Sequence, residues 1–161
     1  MTEIYIDGDA CPVREEVYRV ADRLNLVVHV VSNGSRPIRP PTDPRIRMVT
    51  VDAGADVADD WIAERITAAD LCVTSDIPIA SRCLAKGARA IASYGKIWTD
   101  DNIGSAMVGR DIGYAMREAG HITRGPSAMT KADRSKFLEA LDRELRALLK
   151  PKVTWRVVPP S

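Results

Sequence analysis

The segment Ile-Tyr-Ile-Asp-Gly-Asp, residues 4–9, limits what this chain can fold into more than any other stretch. Residues 4–6 are β-branched or aromatic, as a short buried strand prefers. Asp7, Gly8 and Asp9 follow, and glycine permits a sharp turn from this strand into a helix that we expect to run to about Leu24. Two carboxylates therefore lie at the carboxyl end of the first predicted strand, the edge at which open α/β sheets bind ligands.

The rest of the chain alternates between strand and helix signals. Apolar runs predict strands at residues 26–31, 47–51, 71–74 and 88–93. Helices are predicted at residues 54–67, 77–86, 102–119 and 131–149, the last opened by a capping box at Thr130 and Asp133. This order favours a three-layer α/β/α fold with a mainly parallel sheet of four to five strands. Residues 4–7 should be central in the sheet, between strands two and four, within a single domain of residues 1–150 followed by a C-terminal tail, 151–161.

Composition argues against several kinds of partner surface. The 161 residues carry 23 Lys and Arg against 22 Asp and Glu, so a net charge of +1 gives no global field toward nucleic acid or a membrane. Aromatic residues make up 5% of the chain, which argues against the stacking platform of single-strand binders. No apolar run approaches a membrane span, and three cysteines without CxxC spacing are typical of a reducing compartment. We therefore expect a cytoplasmic protein with no membrane partner.

Acidic residues recur where predicted strands end and helices begin. These positions share one edge of a parallel sheet, so their side chains are expected to meet there. Helix capping accounts well for Asp56 and Asp100 but poorly for Asp7 and Asp76, which follow apolar strands. Carboxylate oxygens without nearby His or Cys suit Mg²⁺ or Mn²⁺ rather than zinc. On position alone, Asp7 and Asp76 are candidate metal ligands with Asp9 as a neighbour, and Asp59 lies one turn into its helix, where it can face the same strand ends.

Four motifs resemble those of the bacterial YaiI/YqxD family. They are Asp7-Gly-Asp-Ala-Cys-Pro12, Ala58-Asp59-Asp60-Trp-Ile62, Thr74-Ser-Asp-Ile-Pro-Ile-Ala80 and Asn102-Ile-Gly-Ser-Ala106, in that order along the chain. The family is grouped by distant similarity with PIN-like domains, which include many metal-dependent ribonucleases. The resemblance implies a PIN-like fold and a catalytic set of Asp7, Asp59 and Asp76, with Asp9 and Asp60 as neighbours. The fourth acidic residue of many PIN nucleases corresponds here to Asp101 or Asp111.

With these carboxylates, the resemblance implies a divalent-metal-dependent ribonuclease, with Mg²⁺ or Mn²⁺ as cofactor and RNA or another phosphodiester as partner. Its candidate metal-binding residues are Asp7, Asp9, Asp59, Asp60, Asp76 and Asp101. Ions held by the carboxylates would orient water for attack and offset charge on the attacking and leaving oxygens. Arginine forks suit phosphate oxygens, and polar residues at strand ends can reach a substrate bound there. The candidate substrate-binding residues are Asn33, Arg36, Arg39, Thr74, Ser75 and Arg110.

Two alternatives remain open. A phosphatase of the haloacid-dehalogenase type also begins with a strand that ends in Asp-x-Asp, so Asp7 would be its nucleophile and Asp9 its acid/base. Its remaining machinery would be Thr74 or Ser75 for phosphate, Lys86 or Lys96 for positive charge and Asp100 and Asp101 for metal. This assignment leaves Asp59 without a role. The second alternative is a PIN-like module that binds RNA or protein without turnover, which the near-neutral net charge permits.

Overall fold

A computed structural model of the chain describes residues 1–34, 38–54, 56–105 and 129–150. Its strands are β1 (Glu3–Asp7), β2 (Val27–Ser32), β3 (Ile46–Thr50), β4 (Leu71–Val73), β5 (Arg89–Ile91) and β6 (Ile97–Trp98). Its helices are α1 (Arg14–Leu24), α2 (Val57–Arg65), α3 (Ile77–Ala85), α4 (residues 100–105) and α5 (Lys131–Leu149). A short 3-10 turn, Gly8–Ala10, separates β1 from α1.

The described strands form one sheet in the order β3-β2-β1-β4-β5-β6. β1 pairs in parallel with β2, where Ile4 lies opposite Val28, and with β4, where Ile4 lies opposite Leu71. The predicted central position of the first strand is therefore confirmed. β3 and β5 extend the parallel sheet on its two sides, and β6 pairs antiparallel to β5. The sheet thus has the expected five parallel strands and a sixth strand of two residues that the sequence did not predict.

A hydrophobic cluster on each face of the sheet produces the three layers. On one face, Ile4 and Ile6 belong to a cluster with α1 and α5, which contributes the fully buried Phe137. On the other face, Tyr5 belongs to a cluster with α2 and α3, which includes the fully buried Ile62. Successive strand residues point to opposite faces, so β1 contributes to both clusters. The predicted α/β/α architecture is confirmed.

Four helix boundaries differ from the prediction. α2 begins at Val57 rather than 54, and α3 ends at Ala85 rather than 86. The other two differences have a visible cause. α2 ends at Arg65 rather than 67, because the buried Asp70 accepts hydrogen bonds from the Thr67 N–H (2.8 Å) and hydroxyl (2.9 Å) and holds that segment in a turn. α4 begins at residue 100 rather than 102, because Thr99 and Asn102 cap its start. The backbone N–H of each donates to the side-chain oxygen of the other, at 2.9 and 3.2 Å. Residues 106–119 of this predicted helix, and the tail 151–161, lie outside the described residues.

The predicted capping box of α5 is confirmed. The Asp133 N–H donates to the Thr130 hydroxyl oxygen at 3.0 Å, and the Thr130 N–H donates to Asp133 Oδ2 at 3.1 Å. The helix that follows is 19 residues long and buries one side against β5 and α1. Within the described ranges, no helix combines the length and apolarity that crossing a membrane requires.

Candidate functional site

The candidate site lies where the strand order of the sheet reverses. β1 continues through α1 to β2 on one side, whereas β4, on the other side of β1, continues through α3 to β5. At such a switch point the segments that follow two neighbouring strands diverge and leave a crevice at the carboxyl edge. Asp7 ends β1 and Thr74 follows β4 at this place.

Thr74 connects the two strand ends. Its buried hydroxyl donates a hydrogen bond to Asp7 Oδ2 (3.3 Å) and accepts one from the Asp76 N–H (2.9 Å). Its carbonyl accepts a hydrogen bond from the indole N–H of Trp98 at 3.1 Å, which ties this backbone to β6. Thr74 therefore orients Asp7 through one carboxylate oxygen, and Asp7 Oδ1 has no hydrogen-bond partner among the described residues.

Two carboxylates from separate elements have raised pKa values at this edge, and the charge of Asp76 contributes to both. Burial, and next the charge of Asp76, raise the pKa of Asp7 to about 6, with smaller contributions from Asp9 and Asp59 and an opposing one from its bond with Thr74. Asp59 lies in the first turn of α2, and its pKa is raised by burial and then by Asp76. The charges of Asp76 and Asp59 both contribute at Asp7, so these carboxylates lie within electrostatic range of one another at this edge. We call these three residues the carboxylate cluster.

Asp9 extends the site toward β2. The backbone N–H of Asn33, directly after β2, donates to Asp9 Oδ2 at 3.0 Å. Asp9 Oδ1 is buried and has no hydrogen-bond partner in the part of the chain that the structure describes. A buried carboxylate oxygen without a partner is costly, so a cation or an ordered water is expected beside it. Asn33, predicted to contact substrate, positions Asp9 through its backbone.

Gly8 lets the turn that carries both aspartates lie against β2. A Cβ on residue 8 would be 2.9 Å from Val30 Cγ1 and 3.0 Å from the Val31 carbonyl oxygen. The expectation that glycine serves the turn through its dihedral freedom is therefore corrected, because Gly8 is not among the residues with positive φ and what it provides is close approach. The Arg14 guanidinium donates to the Gly8 carbonyl at 3.1 Å and holds the turn from α1.

The donor chemistry of the site suits a hard divalent cation. Its potential ligands are carboxylate oxygens, and the unpartnered Asp9 Oδ1 is a group that a cation would satisfy. Among the described residues, however, no group of three or more His, Cys, Asp or Glu side chains is already arranged to hold a metal ion. Metal binding at the carboxylate cluster would therefore draw these side chains closer to one another.

Two predicted metal ligands have other surroundings. Asp60 and Arg82 form an exposed ion pair at 2.7 Å. Asp101 is exposed in α4, after β6, and is not among the charges that shift the pKa of Asp7 or Asp59. Asp60 therefore lies beside the carboxylate cluster but is already paired with the Arg82 guanidinium. Asp101 shows no contact with that cluster. Asp111 lies outside the described residues.

The predicted substrate-binding residues divide in a similar way. The exposed Ser75 shares a 2.9 Å hydrogen bond with the hydroxyl of Ser93, a residue that the sequence analysis missed. Ser93 follows β5, so the argument from strand ends could have identified it. Trp98, whose indole N–H donates to the Thr74 carbonyl, lies in a strand of two residues, which is too short to show a pattern of hydrophobic residues. Arg39 is exposed, and Arg36 and Arg110 lie outside the described residues.

The capping roles of Asp56 and Asp76 are the reverse of those expected. Asp76 is the N-cap of α3, and its Oδ1 accepts a hydrogen bond from the Ile79 N–H at 3.4 Å. Asp56 occupies the N-cap position of α2 but makes no capping hydrogen bond, and its charge helps to raise the pKa of Asp59. Position before a helix is visible in a sequence, whereas the direction in which the side chain turns is not. Asp76 thus combines a structural bond with membership of the carboxylate cluster.

Comparison with known proteins gives one family. A family model described as "Uncharacterized BCR, YaiI/YqxD family" matches residues 5–147, which include the whole carboxylate cluster. A UPF0178 protein of Rhodospirillum rubrum is 51% identical over 146 residues, 91% of this chain and 97% of that relative. UPF0178 proteins of Caulobacter sp. and Paramagnetospirillum magneticum are 54% and 52% identical over 142 residues, 88% of this chain and 93% of each relative. No solved structure matches the chain.

Proposed function

This chain belongs to the YaiI/YqxD family, and we propose that it is a divalent-metal-dependent ribonuclease whose active site is the carboxylate cluster. The observation that supports the proposal is Asp7 at the switch point, where burial and then the charge of Asp76, with smaller contributions from Asp9 and Asp59, raise its pKa to about 6. Burying like charges together is unfavourable for an apo protein, and a site that binds a cation removes that penalty.

Each carboxylate in the site has an oxygen to offer a cation. Thr74 occupies Asp7 Oδ2 and the start of α3 occupies Asp76 Oδ1, so the second oxygen of each remains for a ligand. Asp9 contributes its unpartnered Oδ1 in the same way. Bound Mg²⁺ or Mn²⁺ would supply a Lewis acid that activates water and offsets charge on the phosphodiester. The protein's part is to hold that geometry, and the bonds from Thr74 and Asn33 fix two of the carboxylates beforehand.

The substrate is RNA in this proposal, and its phosphates need cations near the acidic site. Arg39, exposed after the 35–37 segment, and Arg36 and Arg110 are expected to contact phosphate oxygens. Arg39 directly follows Ile38, whose Cδ1 would lie 3.2 Å from a Cβ on Gly8. Ile38 therefore lies beside the turn that carries Asp7 and Asp9, and Arg39 is next to it in the chain. Ser75 is exposed beside Asp76 and is available to a phosphate oxygen.

The test compares metal binding with cleavage in matched variants. Thermal unfolding of the parent should shift upward with Mn²⁺, by about 2.7 kcal/mol of stability at one hundred times the dissociation constant. Asp7→Asn and Asp59→Asn should lose both this shift and metal-dependent cleavage of single-stranded RNA. Asp60→Asn is the control, because Asp60 is next to Asp59 in α2 but is already paired with Arg82. This variant should retain both the Mn²⁺-dependent shift and the cleavage.

Four results would contradict the proposal. A parent protein that cleaves no RNA with Mg²⁺ or Mn²⁺ would do so directly, as would full cleavage by Asp7→Asn. RNA binding that survives loss of all three carboxylates, without turnover, would favour the non-catalytic module. Trapping of a covalent phosphate analogue on Asp7 would favour the phosphatase. Of the two lysines that this alternative offers, Lys86 lies at the C-terminal end of α3, at the opposite edge of the sheet from Asp7.

A further inference from the structure

A basic cleft lies beside the candidate site, between the turn that follows β5 and the first half of α5. Its volume is about 320 Å³. The charged and aromatic side chains that line it are Tyr94, Lys96, Lys136, Glu139 and Arg143. Three of these five residues are cationic and one is anionic, although the whole chain is nearly neutral. The cleft therefore concentrates positive charge that the overall composition hides.

The cations of this cleft form no ion pairs with the described residues, although Glu139 lines the same cleft and the charge of Lys136 helps to lower the pKa of Asp133. Neither Lys96, Lys136 nor Arg143 forms an ion pair with another described residue, whereas Arg134 and Arg146 of the same helix are paired with Glu16 and Asp142. The Lys96 ammonium group lies 5.0 Å from the centre of the Trp98 ring, which orients it without cancelling its charge. Unpaired cations around a concave surface suit an anionic ligand with more than one charge.

Tyr94 adds an aromatic surface at the rim of the cleft. It is 44% exposed, and it is the only aromatic side chain classed as exposed among the described residues. An exposed tyrosine beside lysine and arginine offers one base a stacking partner while its phosphates meet the cations. This is one stacking position rather than a platform, in keeping with the low aromatic content of the chain.

The backbone holds the two walls of the cleft together. Gly95 has φ of +94°, and a Cβ there would lie 2.8 Å from the Lys136 carbonyl carbon and 2.9 Å from its oxygen. The turn is closed by hydrogen bonds from the Gly95 N–H to the Ala92 carbonyl (2.9 Å) and from the Ala92 N–H to the Lys96 carbonyl (2.8 Å). Tyr94 and Lys96 are thus fixed relative to Lys136 before any ligand binds.

Two hydrogen-bonded serines link the cleft to the candidate site. Ser93 directly precedes Tyr94, and its hydroxyl shares a 2.9 Å hydrogen bond with that of Ser75. Ser75 in turn directly precedes Asp76 of the carboxylate cluster. A chain that entered the cleft could therefore continue along the same edge of the sheet toward the carboxylates.

From these observations we infer that the basic cleft is a subsite for single-stranded RNA, in which Lys96, Lys136 and Arg143 bind backbone phosphates and Tyr94 stacks on one base. The inference rests on the proposed function, because it names where the strand lies while another part of it occupies the carboxylate cluster. Glu139 is the unfavourable charge in this subsite, so its removal should improve binding.

Binding of a short labelled single-stranded RNA, measured by fluorescence anisotropy in EDTA over a range of KCl concentrations, tests the subsite without cleavage. The triple variant Lys96→Gln/Lys136→Gln/Arg143→Gln should weaken binding more than tenfold and reduce the magnitude of the salt slope by about 2, since each phosphate contact contributes about 0.7. Tyr94→Ala should weaken binding about tenfold and leave the slope unchanged. Glu139→Gln should tighten binding. The single variant Arg143→Gln should also weaken binding, and its matched control is Arg146→Gln, an equal loss of one charge on the same helix outside the cleft, which should have no effect.

Several results would overturn the inference. They are an unchanged salt slope in the triple variant, an Arg146→Gln effect equal to that of Arg143→Gln, and competition by polyglutamate as effective as that by RNA, which would indicate an acidic protein partner. Mn²⁺-dependent cleavage of a dinucleotide, too short to occupy both places, separates this inference from the proposed function. If the triple variant cleaves the dinucleotide like the parent and binds the longer RNA poorly, both stand. If the parent cleaves nothing but binds RNA through the cleft, the ribonuclease proposal fails and the binding subsite stands.

Discussion

Asp7 binds its proton more tightly in the folded chain than in the unfolded chain. Its pKa is about 6 when folded against a reference of 3.8, mainly because of burial and the charge of Asp76. A raised folded pKa means that stability is highest below pH 3.8 and is lost as the pH rises through 6. The full shift corresponds to at most about 3 kcal/mol at 1.36 kcal/mol per pKa unit.

We therefore expect Asp7→Asn to stabilise the metal-free protein at neutral pH. Asparagine has no charge to lose, and its amide oxygen can still accept the Thr74 hydroxyl. In urea unfolding with a chelator, the free energy of unfolding of Asp7→Asn should exceed that of the parent by about 1–3 kcal/mol above pH 7. The two values should converge near pH 4. Asp60→Asn, which breaks an exposed ion pair, should show no such pH-dependent gain. A variant less stable than the parent at every pH would make Asp7 a structural residue instead.

At the same scale, the sequence predicts that three carboxylates share one edge of the sheet, but it does not predict the other contacts that these residues make. Asp7, Asp59 and Asp76 follow from the rule that parallel strands end at one edge, which needs only the order of elements. The capping role of Asp76 and the close approach at Gly8 depend on side-chain direction and on the distance to β2. Neither quantity has a local pattern, because both are set by packing between segments distant in sequence.

α5 offers the test of an element whose start was predicted from sequence. Thr130→Ala removes the side-chain oxygen that accepts the Asp133 N–H, and it should lower the free energy of unfolding by about 1 kcal/mol. Asp133→Ala removes the reciprocal bond, so the double variant should cost less than the sum of the two single variants. The measurement is urea unfolding at constant pH. Ser135→Ala, an exposed position one turn further along, is the control and should change stability little. Strict additivity would show that the two bonds act independently.

Element boundaries were predicted well where a recognised capping pattern marked them, and less well where the capping contact has no such pattern, as at Thr99 and Asn102, or involves a distant residue. The Thr130–Asp133 pair is complete within four residues, so its pattern sufficed. The end of α2 was placed two residues late because Asp70 both captures Thr67 and accepts the backbone N–H of Glu3 at 2.9 Å. That second bond joins the start of β1 to the segment before β4, and it exists only once the sheet has formed.

At the scale of the whole molecule, the two hydrophobic clusters share the strands that separate them. Ile4 and Ile6 of β1 face α1 and α5, while Tyr5 between them faces α2 and α3. Unfolding of one face would therefore expose the strands that support the other. The expected consequence is a single cooperative transition, which is also what the predicted single domain of residues 1–150 requires.

Substitutions in the two clusters test this coupling. Leu141 of α5 and Ile62 of α2 are both fully buried on opposite faces, and replacement of either by alanine should cost about 2–5 kcal/mol. Because the side chains do not touch, the double variant should be additive within about 0.5 kcal/mol, with one urea transition and an unchanged m-value. Leu149→Ala, at a position 41% exposed, is the matched control and should cost far less. Two separate transitions, or an m-value that falls in only one variant, would show that the layers unfold independently and that the single-domain prediction is wrong.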